Sequence, residues 1–413
     1  MLTLMSRRKP TRSHRSETRL TLALLAAAAL VAAPAQIHAQ QADTTEASLP
    51  KVGYGSRGIF IETADGNWRT SLQFRMQFRM SNPFDGDPDR PLDYTAQDQT
   101  SLEVNRARFK VDGHGYRPWL KYYTEFDLPN SRLLNWELKV EKYSAIRLRV
   151  GQWKAYYSRE RVVSSGRQQM ADRSLINRYF TIDRQQGVSL YGRLFDGSVA
   201  DLNYWVSAFT GMGTGGREND DAALMYMGRL QWNPLGRPVA FAGGDLSKVD
   251  EPALSIAVAG TTNESPCTRF SGSGCGTLPG FDGDYRVNQA TFETAFIWKG
   301  FSWTQELHWK MIRDVDTLEE TDLRGNYSMV GFFPSVAFES VPEPLEVAVR
   351  WSVFDPNLGG TDDLQAEELT FAANWFFGGH SNKVTAEYAL FDLQSGPDEL
   401  SRGRYRLQWE IQF

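Results

Sequence analysis

From residue 57 onward, nearly every segment alternates large apolar residues with polar ones at a period of two. In Leu72, Phe74, Met76, Phe78 and Met80 every second residue is apolar, and Gln73, Arg75, Gln77 and Arg79 fill the gaps. The same split recurs where Trp136, Leu138 and Val140 oppose Glu137, Lys139 and Glu141, and where Ile146, Leu148 and Val150 oppose Arg147 and Arg149. A period of two puts alternate side chains on opposite faces of a strand. Each strand therefore has one apolar face and one wet face, and about sixteen such segments can be counted along the chain.

The links between segments carry turn chemistry. Asp65-Gly66-Asn67, Phe195-Asp196-Gly197, Lys299-Gly300 and Gly378-Gly379-His380 are short. Residues 82–100, 211–221, 261–284, 314–325 and 355–367 are longer and polar. Short turns alternating with long loops characterise a transmembrane barrel, with the short turns periplasmic and the long loops outside. The expected fold is thus all-β: an antiparallel transmembrane barrel of about sixteen strands, wide enough to leave an aqueous lumen. In the last segment Tyr405, Leu407, Trp409, Ile411 and Phe413 alternate with Arg406, Gln408, Glu410 and Gln412. A final strand stopping on an aromatic residue is what the outer-membrane barrel-assembly machinery reads, which makes that machinery an expected partner through Phe413.

Hydropathy agrees. Mean hydropathy is −0.44, and no later apolar run approaches the ~20 residues of a spanning helix. A barrel exposes only alternate residues to lipid, so a low mean is expected of it. Residues 1–39 hold Arg7, Arg8, Lys9, Arg12, Arg15 and Arg19, then the uncharged run Leu20–Ala33, then small residues up to Ala39. That order predicts a secretory signal cut after Ala39. It divides the chain into a signal peptide (1–39), a short periplasmic segment (40–56) and a barrel (57–413), bound for the outer membrane with its lipid and lipopolysaccharide. The first 39 residues contribute +5 to a whole-chain charge of −5, leaving −10 on the mature chain. Net acidity does not forbid a basic channel, because the local field depends on where charges point. The two cysteines, Cys267 and Cys275, sit in a Gly/Ser-rich loop, where an oxidising compartment would let them pair.

One stretch breaks the rhythm. Residues 152–186 lack clean alternation and are rich in Arg and Ser. A long non-strand insertion in a barrel is usually functional, and a loop at about 155–180 is expected to fold into the lumen and narrow it. Alternation also places Arg75 and Arg79, then Arg106, Arg108 and Lys110, then Arg147 and Arg149 on wet faces. Rings of Arg and Lys select anions, and guanidinium groups bind phosphate in a bidentate way. Acids on neighbouring wet faces, Glu125, Asp127, Glu137 and Glu141, offer the competing possibility that these cations are simply paired. An enzyme is not expected: beyond residue 39 the histidines are His114, His308 and His380, and no nucleophile–His–acid spacing can be built from them. Neither metal-ligand spacing nor a phosphate-binding glycine loop implies a cofactor, and nothing suggests a nucleic-acid partner.

Several stretches resemble the phosphate-selective porin O and P family. They are Asn105-Arg106-Ala107-Arg108-Phe109-Lys110-Val111, Tyr122-Tyr123-Thr124-Glu125-Phe126-Asp127 and Arg149-Val150-Gly151-Gln152-Trp153-Lys154. The loop carrying Ser164-Ser165 and then Arg178, the landmarks Gln186-Gly187-Val188 and Phe209-Thr210-Gly211, and Asn374-Trp375-Phe376 add to them. The resemblance implies a passive channel for small anions of the phosphate type, a homotrimer, and a constriction lined by these arginines with Lys154, Ser164 and Ser165. Phosphate-specific members carry two adjacent arginines at the constriction, whereas here the first position is Asn105. A weakly selective porin for small polar solutes and a non-conducting structural or adhesive barrel are the rival readings.

Overall fold

The computed structural model describes residues 49–86, 99–216, 218–219, 223–278, 280–357, 364–395 and 398–413. The expected cleavage after Ala39 and residues 40–48 of the expected periplasmic segment lie outside them. The strands, in chain order, are β1 (Lys51–Gly55), β2 (Gly58–Glu62), β3 (Arg69–Asn82), β4 (Ser101–Gly115), β5 (Arg117–Asp127) and β6 (Arg132–Val140). They continue as β7 (Arg147–Lys154), β8 (Arg184–Leu194), β9 (Leu202–Phe209), β10 (Met225–Trp232), β11 (Ala253–Ser265) and β12 (Tyr285–Trp298). The last six are β13 (Phe301–Asp314), β14 (Glu320–Phe332), β15 (Leu345–Asn357), β16 (Leu364–Phe376), β17 (Asn382–Ser395) and β18 (Asp398–Gln412).

From β3 to β18 each strand pairs antiparallel with the next, and β18 pairs back onto β3 through Leu407↔Met80 and Trp409↔Phe78. This closes a sixteen-strand barrel. At the seam Phe413 and Phe74 exchange backbone hydrogen bonds of 2.9 and 2.7 Å. Directly beyond it β2 pairs with β3 at Ile59↔Leu72 through Glu62↔Arg69, so the β1–β2 hairpin prolongs the seam where β18 ends.

The alternation yields an inside-out protein. On β18 Leu407 is 46% exposed and Gln408 is 1% exposed. The inward face of β3 buries Gln73, Arg75, Gln77 and Arg79, while Leu72 and Met80 face outward. Tryptophans near the turn end fasten this outer face: Trp232 donates from Nε1 to the Val199 carbonyl (2.7 Å) and Trp298 to that of Asp250 (3.0 Å). Such a girdle marks a membrane–water interface. Lys299 and Gly300 both have positive φ, 46° and 78°, as a two-residue hairpin turn requires to match strand twist.

Three link lengths differ from expectation. The strands run farther than the apolar pattern, so 314–325 shrinks to a five-residue link, 315–319, and 355–367 to a six-residue one, 358–363. Backbone pairing continues out to Arg313↔Glu320, past the point where apolar and polar residues alternate. Conversely, the turn end carries a long segment, residues 233–252, between β10 and β11.

Candidate functional site

Residues 155–183, between β7 and β8, fold inside the barrel and are almost wholly buried. A chain inside a polar lumen must find partners for its backbone groups, and the inward faces of the far wall supply them. Carboxylates of β12, β13, β16 and β17 accept loop N–H groups: Glu293 from Arg159 (3.2 Å), Glu306 from Glu160 (2.7 Å), Glu368 from Leu175 (2.8 Å) and Glu387 from Ala171 (2.8 Å). Cations of the wall donate to loop carbonyls. Lys310 reaches Tyr179 (2.9 Å), Arg350 reaches Asp172 (2.8 Å), and Lys383 reaches Gln168. His308, which shares its strand face with Glu306 and Lys310, sits 2.9 Å from the Glu306 carboxylate, on which Ser158 Oγ also converges at 2.7 Å. This face is a loop anchor.

Arg75 and Arg79 belong to that anchoring set and do not line the open path. Arg75 donates to Ser164 Oγ (3.1 Å) and Ser165 Oγ (2.8 Å) and pairs with Glu410 at 3.4 Å. Arg79 holds the Ala171 carbonyl (2.8 Å) and the Asp172 carboxylate (3.1 Å). Both are 2% exposed, because the loop lies directly over β3. Arg147, the first residue of β7, is also absent from the lining, being nearer the turn end than the loop.

What remains open is a cavity of about 400 Å³ between the loop and β4–β7. Strands β4–β7 contribute Arg106, Arg108, Lys110, Arg132, Lys139, Arg149 and Lys154, the loop contributes Arg161 and Arg173, and β8 contributes Arg184. Against these ten cations stand four carboxylates, Glu125, Asp127, Glu137 and Asp183, a formal excess of +6. Ser164 and Ser165 complete the lining with Tyr123, Trp153 and Tyr156.

Several cations are paired: Arg108 with Asp127 (3.4 Å), Arg184 with Glu125 (3.1 Å), Lys139 with Glu137 (3.0 Å) and Arg106 with Asp172 (3.6 Å). Burial acts to raise the Asp172 carboxyl, but Arg106, Arg79 and Arg406 around it hold it well below the usual carboxylate range. Arg149 lies among three rings, 5.4 Å from Trp153 and 5.0 Å from both Tyr156 and Tyr191. Lys154 donates to the Arg161 (2.9 Å) and Val163 (3.3 Å) carbonyls, pinning the loop at its root. The side chains of Lys110 and Arg132 face the cavity with no direct ion pair or side-chain hydrogen bond among the described residues, Lys110 lying within the field of Glu125 and Glu410.

Sequence patterning did not single out Arg132, which a register shift near Asn135 and Leu133 moves out of simple alternation. A second shift, between Gln77 and Phe78 of β3, makes Asn105 a bulge residue opposite no partner. A bulge lets two successive residues face the same side. It explains how Asn105 and Arg106 both reach the lumen. With its amide oxygen turned to its donors, Asn105 accepts from Arg79 (2.6 Å) and Arg106 (3.0 Å).

Outside the cavity, Cys267 and Cys275 form a disulfide with a Cα–Cα distance of 5.3 Å. It closes an outer loop that packs on the end of the inward one: the Phe270 carbonyl accepts from the Asp183 N–H (2.8 Å), and Ser271 Oγ donates to the Arg178 carbonyl (2.6 Å). Among the described residues no group of His, Cys, Asp and Glu could hold a metal ion.

The architecture is that of solved outer-membrane channels. It is similar to OmpTdeltaL8, a loop-deletion mutant of an outer membrane protein of Vibrio cholerae, with a TM-score of 0.55 and 13% identity over 84% of this chain and 100% of that one. An anion-selective porin from Comamonas acidovorans gives 0.55 and 9% identity over 83% of this chain and 99% of that one. The outer membrane channel DcaP of Acinetobacter baumannii gives 0.55 and 11% identity over 85% and 99%. No curated protein sequence matches the chain. The family model of phosphate-selective porin O and P matches residues 74–392, most of the barrel. The chain belongs to the phosphate-selective porin O and P family and is an outer-membrane channel.

Proposed function

We propose that this porin is a passive diffusion channel preferring small anions, phosphate-type oxyanions among them. The observation that carries the reading is the +6 excess of cations lining the open cavity, Lys110 and Arg132 among them. Low-dielectric walls around a narrow aqueous path strengthen such a field. Interleaved carboxylates keep each cation's hold on an anion moderate, and weak, multiple sites suit release and flux. Asn105, where phosphate-specific relatives carry a second arginine, contributes amide polarity without charge, so phosphate is held less tightly than by an arginine pair.

The constriction in this reading is formed by Arg106, Arg108, Lys110, Arg149, Lys154, Ser164 and Ser165, with Arg75 and Arg79 supporting it from behind the loop. Export on the N-terminal signal cut after Ala39, recognition of the Phe413 strand by the barrel-assembly machinery, and assembly as a homotrimer in a lipopolysaccharide-bearing bilayer belong to the same reading. The deciding experiment is the reversal potential of the purified pore in a KCl gradient, followed by block of chloride current with phosphate. Chloride preference with phosphate block is expected, and a cation-preferring or unselective pore would overturn the reading.

A further inference from the structure

The long turn-end segment, residues 233–252, lies across the lumen from the end opposite the outer loops. It starts beside β9, where the Asn233 N–H donates to the Asp201 carbonyl at 2.8 Å. It finishes beneath the β12–β13 turn, where Asp245 accepts from the Gly300 N–H at 2.8 Å and Lys248 Nζ reaches Ser335 Oγ at 3.2 Å. Between these moorings it meets the inward loop three times. The Arg159 guanidinium donates to the carbonyls of Val239 (3.2 Å) and Ala240 (2.8 Å). Phe241 lies 4.5 Å beneath the same guanidinium and meets Tyr156 edge-on at 5.4 Å. The Gly243 N–H donates to the Arg167 carbonyl at 2.7 Å.

The approach at Gly243 leaves no room for a side chain. A Cβ there would sit 2.7 Å from the Arg167 oxygen and 3.0 Å from the Gln169 nitrogen. The arc touched, residues 159–167, is the part of the loop that presents Arg161, Ser164 and Ser165 to the cavity. Its other face is held by Arg75 of β3. The arc is therefore clamped between the barrel wall and this segment.

We propose that residues 233–252 are a strut that positions the Arg159–Arg167 arc from the periplasmic end and so sets the aperture, with Phe241 and Gly243 as its positioning residues. A flat ring under a guanidinium and an N–H on a carbonyl fix the arc without contributing charge to the path. The strut acts on any solute, so the inference rests on the chain being a channel and not on its anion preference.

The test is single-channel recording of Phe241→Ala and Gly243→Val in a planar bilayer, beside Phe338→Ala, an exposed ring on a neighbouring turn, as control. Heat-modifiable mobility on gels establishes that each barrel is folded. Folded Phe241→Ala and Gly243→Val pores are expected to show altered mean conductance and larger open-channel noise, with Phe338→Ala like wild type. If Gly243→Val does not fold, Phe241→Ala and the milder Phe241→Leu decide, the latter expected to fall between Ala and wild type. Folded strut variants with wild-type conductance and noise would overturn the proposal. A wild-type pore without anion preference would leave it standing.

Discussion

With its amide turned so that the oxygen meets donors, Asn105 places that oxygen 2.6 Å from the Arg79 guanidinium and 3.0 Å from that of Arg106. It is a neutral acceptor wedged between two cations on adjacent strands, brought there by the bulge in β4. Replacing it with arginine removes the acceptor and adds a third positive group. Asn105→Arg should therefore lower the phosphate concentration that half-blocks chloride current. It should also lower the yield of folded barrel, since like charges repel more strongly in a low-dielectric wall. Titrating the block checks this, and an unchanged blocking concentration would remove Asn105 from the selectivity zone.

Arg106 and Arg75 share a register level region yet should behave differently when truncated. Arg106 lines the cavity, whereas Arg75 is 2% exposed and holds Ser164 and Ser165. Arg106→Ala should move the reversal potential toward zero with conductance little changed. Arg75→Ala leaves Glu410 without its guanidinium partner, a loss of about 3–5 kcal/mol for a broken buried pair. It should free the loop and raise conductance and noise. Salt should screen the Arg106 effect, because the Debye length falls from about 10 Å at 0.1 M to about 3 Å at 1 M. The same phenotype for both variants would erase the distinction between lining and anchoring arginines.

Neighbouring positions on β18 test the two faces of the wall. Leu407 is outward, paired with Ala386 and Met80, and arginine there should cost about 2–4 kcal/mol if it sits at the bilayer midplane. Gln408 is inward, and its Oε1 accepts from Arg79 Nε (3.0 Å) and Nη2 (2.9 Å). Gln408→Arg should spare insertion but loosen Arg79 and with it the loop. Folding into lipid vesicles should fail selectively for Leu407→Arg, while conductance noise should rise selectively for Gln408→Arg. Equal insertion defects would mean that the faces are misassigned.

These residues also show what the sequence could and could not reveal. Alternation assigned Leu407 and Gln408 to opposite faces correctly, and it counted the strands, because lipid and water impose a strict period of two on every spanning segment. It read the inward face as merely wet. Arg79 and Glu410 are instead packed against a loop, with Gln408 bonded to Arg79, and no periodicity records which inward charges a loop will cover. The bulge at Asn105 and the shift that exposes Arg132 depend on pairing register, which is a property of two strands at once. The strut at 233–252 was illegible for a different reason: its contacts to Arg159 and Arg167 run mostly through backbone atoms, which every residue has.

Acid should reveal how the end of the loop is fixed. Asp183 accepts from Arg161 Nε (3.1 Å) and Arg184 Nη1 (3.3 Å). Burial acts to raise its carboxyl, but Arg161 and Arg184 prevail and bring it from 3.8 down to about 2. The folded value lies below the unfolded one, so the clamp's contribution is fully present above about 3.8 and is lost as pH falls through about 2. A depression of this size corresponds to roughly 2–3 kcal/mol. Asp183→Asn removes that contribution at every pH and frees the Arg161 guanidinium beside the cavity, while Glu125 and Asn135 still hold Arg184. Its pore should be noisier and more anion-preferring than wild type at pH 7. The difference in noise should shrink as the bath is taken from pH 4 toward pH 2, where the wild-type carboxyl also loses its charge. A quiet Asp183→Asn channel at pH 7, or a difference from wild type that does not change with acid, would show that other contacts hold the loop end.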